Sequence, residues 1–272
     1  MFDYKSKKGI EMTIFKQEVK SQKLSISIWS LSIGLLIAMC VLMYPDMKSQ
    51  MESVNDMFSS MGSFTQAFGM DQLNFGTLLG FYAVEGGNIL GIGGAFFAAI
   101  TAIAVLMKEE KDRTAEFLMT HPVSRTRVIT EKLISVFAII LVLNVIVFIC
   151  SACSVLAIKE EVDWTPIILL HLAYLLMQFE IAGICFGISA FLRKNGLGIG
   201  IGIACLMYFL NIVANISEDA KFLKYITPFG YTEGSDIIND VAIKTEYVIP
   251  GMIIMVVGII ATYIHYTKKD LQ

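Results

Sequence analysis

Apolar residues in this chain run in blocks of about 20, separated by polar stretches that hold nearly all of its charge. A block of that length crosses a hydrocarbon core of about 30 Å as a helix rising 1.5 Å per residue. Six blocks qualify: Leu24–Tyr44, Gly86–Met107 with a lead-in from Phe75, Leu133–Ala157, Pro166–Leu192, Leu197–Ile216 and Val248–Tyr266. Pro45, Pro166 and Pro250 fall at or near span ends, where a missing N–H costs least. The pattern predicts an all-α, polytopic membrane protein with six transmembrane helices in one domain. Between the first two spans, Met47, Met51, Val54, Phe58, Met61, Phe64 and Phe68 recur at intervals of three and four. That spacing predicts amphipathic helix over Pro45–Asn74, on the membrane or across the outer mouth.

Composition agrees. The 272 residues are 56% hydrophobic and 17% charged, with mean hydropathy +0.67, against roughly 25% charged in soluble domains. The net charge of −3 says little until it is sorted by side. Of the 21 Lys and Arg, 16 lie on one side: before Leu24, in the 108–132 loop, at Arg193–Lys194 and at Lys268–Lys269. Only Lys48, Lys159, Lys221, Lys224 and Lys244 lie on the other. Basic loops stay inside, so both termini are expected in the cytoplasm. No small-x-small cleavage site follows the first span. Met12 is a second possible start, and Thr13–Lys23 suits a short basic helix on the inner membrane face.

Catalytic patterns are missing. All five cysteines fall inside spans, and Cys150-Ser-Ala-Cys153 reads as packing rather than redox chemistry. There is no HExxH, no GxSxG and no Cys/His cluster at metal spacing. Glu109-Glu110-Lys111-Asp112-Arg113 is one residue short of the spacing in glutamate-rich intramembrane proteases and lies in a loop. No Walker sequence exists, so any ATP dependence belongs to another polypeptide. The basic residues flank spans, which leaves nucleic-acid binding unsupported.

The 108–132 loop has the one mechanical design. Glu109, Glu110 and Asp112 suit the first turn of a helix. Phe117 and Leu118 give that helix a compact apolar patch, and Pro122 ends it. Ser124 is placed to cap a new helix carrying Arg125, Arg127 and Lys132 into the third span. A helix, a turn and a rigid run into the membrane suit docking against a partner.

The run Thr114-Ala-Glu-Phe-Leu-Met-Thr-His-Pro-Val-Ser-Arg125 resembles the signature loop of ABC type-2 exporter permeases. Tyr225-Ile-Thr-Pro228-Phe-Gly-Tyr231, the Lys268-Lys269-Asp270-Leu271 ending and the Met12–Glu18 start resemble other segments of that family. Arg113 stands where the family often has glycine, and His121 replaces a usual apolar residue. The resemblance implies a permease subunit that pairs with a second copy and seats a separate nucleotide-binding ATPase. ATP and Mg would sit on that partner, with no cofactor in this chain. Glu110, Arg113, Thr114, Glu116, Phe117 and Leu118, with Pro122 and Arg125, are the expected coupling residues. It also implies re-entrant helices in Ser217–Tyr247, where Pro228, Gly230 and Gly234 allow breaks.

Small residues at Gly87, Gly91 and Ala95, and again at Gly198 and Gly202, permit close helix approach within one subunit or between two. Glu180 sits mid-span, where an isolated charge costs roughly 3 kcal/mol. It must meet a partner, meet a cavity or be protonated, and path-lining and polar-clamp roles both fit. Glu85 stands at the outer edge of the second span. His171 falls about 900° of helix rotation before Glu180, on the opposite side. Glu180, Glu85, Met57, Phe58 and Met61 are the candidate substrate path, and no metal site is expected. The expected cargo is an amphipathic peptide, peptide antibiotic or similar amphiphile, with ions or lipid as alternatives. The rival class is an ATP-independent integral membrane protein, an immunity protein or an intramembrane enzyme.

Overall fold

The computed structural model describes residues 12–70, 72–111, 124–192 and 196–268, with backbone alone at 51–53, 58, 59, 108–111 and 266–268. Regular structure among these residues is helical, without strands. The α-helices are α1 (Thr13–Ser21), α2 (Lys23–Met47), α3 (Met51–Ser60), α4 (Ser63–Ala67) and α5 (Leu78–Lys111). They continue with α6 (Arg125–Ala157), α7 (Trp164–Ser189), α8 (Leu197–Ile216), α9 (Gly234–Asp240) and α10 (Thr245–Lys268). Six of them, α2, α5, α6, α7, α8 and α10, are long and apolar enough to cross a membrane. The 3-10 turns Glu218–Tyr225 and Pro228–Tyr231 precede α9.

One local expectation needs correction, and two others gain detail. Pro45 and Pro250 lie inside α2 and α10 but near their ends, as expected; each stands within about two turns of a helix end, where a lost backbone bond disturbs little. The amphipathic stretch after α2 is divided, because Gly62 takes φ +49° between α3 and α4, a backbone region glycine occupies without steric cost. Glu85 stands about two turns inside α5, which begins at Leu78.

The spans are longer than the bilayer requires. With 34 and 33 residues, α5 and α6 each extend about 50 Å and project beyond the hydrocarbon on either side of residues 112–123. The end carrying that segment, α1 and the end of α10 is the basic end; the opposite one, with α3, α4 and α9, is the far end.

Helices α5 and α7 form the buried centre, while α2, α8 and α10 leave most of their surface outside. Without a hydrophobic drive between helices in lipid, association depends on close packing and polar contacts, and both are present. Added Cβ atoms at Gly87 and Gly91 would lie 2.7 and 3.0 Å from the Tyr174 ring system, so that aromatic fills the groove those glycines leave. Between α7 and α10 the backbones themselves meet, with a Cβ at Gly187 falling 2.8 Å from the Gly258 Cα. Thr262 then donates to the Phe186 carbonyl at 3.3 Å across the seam. Deeper in the centre, Asn144 of α6 donates to Gln178 of α7 at 2.7 Å. Leu35, Leu42, Val145, Phe209 and Val257 are exposed, as a lipid-facing perimeter requires.

Candidate functional site: a tied junction and a polar chamber

The first turns of α6 follow directly on the 112–123 segment and hold three neighbours. Ser124 caps the helix, its hydroxyl accepting from the Arg127 N–H at 3.3 Å. Successive side chains then leave the helix about 100° apart, so Thr130, Glu131 and Lys132 point three ways. Thr130 shares a 2.7 Å hydrogen bond with the Tyr263 hydroxyl of α10. Glu131 accepts from the backbone N–H groups of Ile14 and Phe15 at 2.9 and 3.1 Å, and from Arg127 Nε at 2.7 Å. Those N–H groups open α1, which has no acid in its first turn and no side-chain cap at Met12. A carboxylate from another helix therefore satisfies donors that every helix start leaves orphaned. Lys132, fully buried, donates to the Val105 carbonyl near the end of α5 and pairs with Glu18 of α1 at 3.4 Å. The junction ties α1, α5, α6 and α10 together at the foot of the 112–123 segment.

At the far end two cavities share a wall. The inner one, about 50 Å³, lies among α5, α7, α8 and the turn leading to α9; Asn88, Tyr174, Tyr208, Asn211, Phe229 and Glu233 are in its lining. The outer one, about 290 Å³, is bordered by Gln66, Glu218, Lys221, Lys224, Asp236 and Lys244. Gly69, Asn215 and Glu233 border both. Gly69 adopts φ +65°, and its missing side chain is where the Glu233 carboxylate lies. Asn215 donates to Glu233 at 3.1 Å and to the Ala67 carbonyl at 3.4 Å, while Lys224 approaches Glu233 at 4.0 Å. Tyr174 donates to the Thr232 carbonyl at 3.2 Å. Asn211 Oδ1 is buried with no hydrogen-bond donor.

A buried turn borders this chamber. Pro228–Tyr231 is wholly buried, Thr227 accepts from the Phe229 N–H at 3.3 Å, and its hydroxyl donates to the Met207 carbonyl at 2.7 Å. Gly230 is needed because a Cβ there would fall 2.4 Å from the Lys224 carbonyl. On the outer rim, burial opposes the Lys244 charge, but the Asp236 carboxylate 2.7 Å away outweighs it and raises its pKa.

The residues expected from sequence do not converge. Arg113, Thr114, Glu116, Phe117, Leu118 and Pro122 lie outside the described residues, as does the side chain of Glu110. Arg125 is the first residue of α6. Met57 and Met61 are exposed at the far end, and the side chain of Phe58 lies outside the described set. Glu180 is fully buried, its carboxylate against Gly251 of α10 and facing the Tyr231 phenol, with no hydrogen-bond donor in geometry. His171 points elsewhere, 2.6 Å from the Tyr82 hydroxyl. None of Glu180, Glu85, Met57 or Met61 borders the two cavities. The chamber residues Asn88, Asn211, Asn215 and Glu233 were not singled out from sequence; three asparagines inside or beside apolar spans were the available signal. Among the described residues no cluster of His, Cys, Asp or Glu could hold a metal.

Six helices long and apolar enough to cross a membrane, a tied junction at one end and a polar chamber at the other describe a polytopic membrane protein. The profile of a family described as ABC-2 family transporter protein matches residues 12–271. The chain belongs to that family, as a transmembrane permease subunit of an ABC transporter and not itself a catalyst. Family members generally pair with a separate ATPase subunit. No curated protein matches the chain.

Proposed function

We propose that this subunit is an exporter permease of a bacterial plasma membrane, pairing with a second copy and with separate ATPase subunits that bind ATP and Mg. The basic end then faces the cytoplasm, and the ATPase docks on the segment containing Glu110, Arg113, Thr114, Glu116, Phe117 and Leu118. Pro122 and Arg125 carry its movement into α6. The observation that carries this reading is the junction. Thr130, Glu131 and Lys132 tie the start of α6 to α10, α1 and α5, so displacement of the adjoining segment reaches four helices together.

A second copy suits the outer face of α8. Gly87 and Gly91 are filled by Tyr174 within the subunit, whereas Gly198 and Gly202 have open space where a side chain would stand. They continue into exposed Leu206 and Phe209, on one stripe at helical spacing. The cargo is an amphiphile, released through the far-end chamber rather than past the sealed Glu180.

Co-purification tests the docking. The ATPase encoded beside this gene should be retained by the wild-type chain, and the Phe117→Asp/Leu118→Asp variant should lose it while inserting normally. Undiminished retention by that variant refutes the docking site. For the path, loss of export in Glu180→Gln with unchanged stability would restore Glu180 to it.

A further inference from the structure

The chamber's own chemistry narrows its occupant. Two of its donor side chains are committed, Asn215 to Ala67 and Glu233, and Tyr174 to Thr232. An acceptor remains: Asn211 is in the lining, and its Oδ1 is buried with no hydrogen-bond donor. The Glu233 carboxylate forms another wall. Phe68, Tyr174, Tyr208 and Phe229 add aromatic surface, whose faces attract cations. An anion would meet a carboxylate, and an alkyl group would leave the Asn211 oxygen unpaired. A small ammonium head satisfies both, and about 50 Å³ suits one head and not a whole amphiphile.

The structure also holds a tethered ammonium at the edge of that position. Lys224 lies 4.0 Å from the same Glu233 carboxylate, reached from the outer cavity. Its backbone carbonyl lies over Gly230 of the Pro228–Tyr231 turn, the chamber's far-end cover. A free amine that takes Glu233 from within therefore competes with the contact that fastens Glu218–Tyr225 to the chamber wall.

We propose that the Asn211–Glu233 chamber binds the primary ammonium group of a cationic amphiphile, which displaces Lys224 from Glu233 and so loosens the far-end cover. This deepens the exporter reading by assigning its cargo class. The test is equilibrium binding of radiolabelled n-dodecylammonium to the full chain in phosphatidylcholine nanodiscs, with n-dodecanol as the uncharged competitor. The wild type should prefer the amine. Glu233→Gln, which still accepts from Asn215, should weaken amine binding by about tenfold or more and leave dodecanol unchanged. Asn211→Leu should weaken it by less. Lys224→Ala, which removes the tethered competitor, should tighten it several-fold. Equal amine binding in Glu233→Gln, or weaker binding in Lys224→Ala, overturns the assignment. The assay needs no ATPase, so its failure leaves ATPase docking standing, and lost docking with intact amine selectivity faults only that part of the exporter reading.

Discussion

The two ends of the molecule treat several of their buried polar groups differently. At the basic end, Lys132 meets a carboxylate and a carbonyl, while Glu131 meets two backbone donors and Arg127. Toward the far end, Asn211 Oδ1, the Tyr231 hydroxyl and the Glu180 carboxylate are buried without hydrogen-bond partners. A buried pair holds geometry because breaking it strands a charge. An unpaired buried group does the reverse, favouring any state or ligand that supplies its partner. The basic end is built to move as one piece, and the far end to change what it contacts.

Breaking the pair should give the largest effect. Lys132→Ala breaks the buried Glu18–Lys132 pair and removes the Lys132 contact with the Val105 carbonyl, a loss of about 3–5 kcal/mol. Unfolding of the detergent-solubilised protein by titrated denaturant should show it. The double change Glu18→Gln/Lys132→Met should recover much of the loss, because no charge is then stranded. If Lys132→Ala unfolds like wild type, the junction is not a rigid tie and the contrast between the ends collapses.

The asymmetry was half visible in the sequence. Uninterrupted apolar runs mark a membrane helix without any tertiary information, so the six spans could be read directly. The Ser124 cap was equally local, a hydroxyl placed ahead of a helical run. The junction was not legible, because Glu18 and Lys132 stand 114 residues apart and look like ordinary interfacial charges. Gly183, Gly187, Gly251 and Gly258 spell out the α7–α10 seam, yet glycines are frequent in membrane helices and only the fold shows which ones face each other. Glu180 drew attention as a mid-span charge, while Glu233, in an unremarkable loop, is the carboxylate that borders both cavities.

A middle-sized effect sets opposite signs on two residues in contact. Glu180→Met removes a carboxylate that lacks a hydrogen-bond partner, and its unbranched side chain fits the same slot against Gly251. Stability should rise by about 1–3 kcal/mol in the same denaturant titration. Gly251→Leu instead forces a branched side chain into the space that the Glu180 carboxylate fills, and should cost about 1–3 kcal/mol. Destabilisation by both would mean that Glu180 is a satisfied structural group, and the far half would then resemble the basic end.

The smallest effect lies on the outer rim, where a charge pair faces water. Lys244 has its pKa raised above the ordinary 10.5: burial opposes the charge, but the Asp236 carboxylate 2.7 Å away prevails. A cation whose pKa is higher in the folded state adds stability that is full below its unfolded pKa and fades as pH rises through the folded one. Lys244→Met should therefore melt slightly below wild type at neutral pH, by an amount that added salt reduces. Melting curves from about pH 8 to beyond pH 11 should keep that gap constant at first and close it at the alkaline end. A gap that instead widens with pH would mean the pair is not what Lys244 contributes. The salt dependence carries the comparison: the same ions should leave the deficit of Lys132→Ala almost untouched, because its pair lies out of their reach.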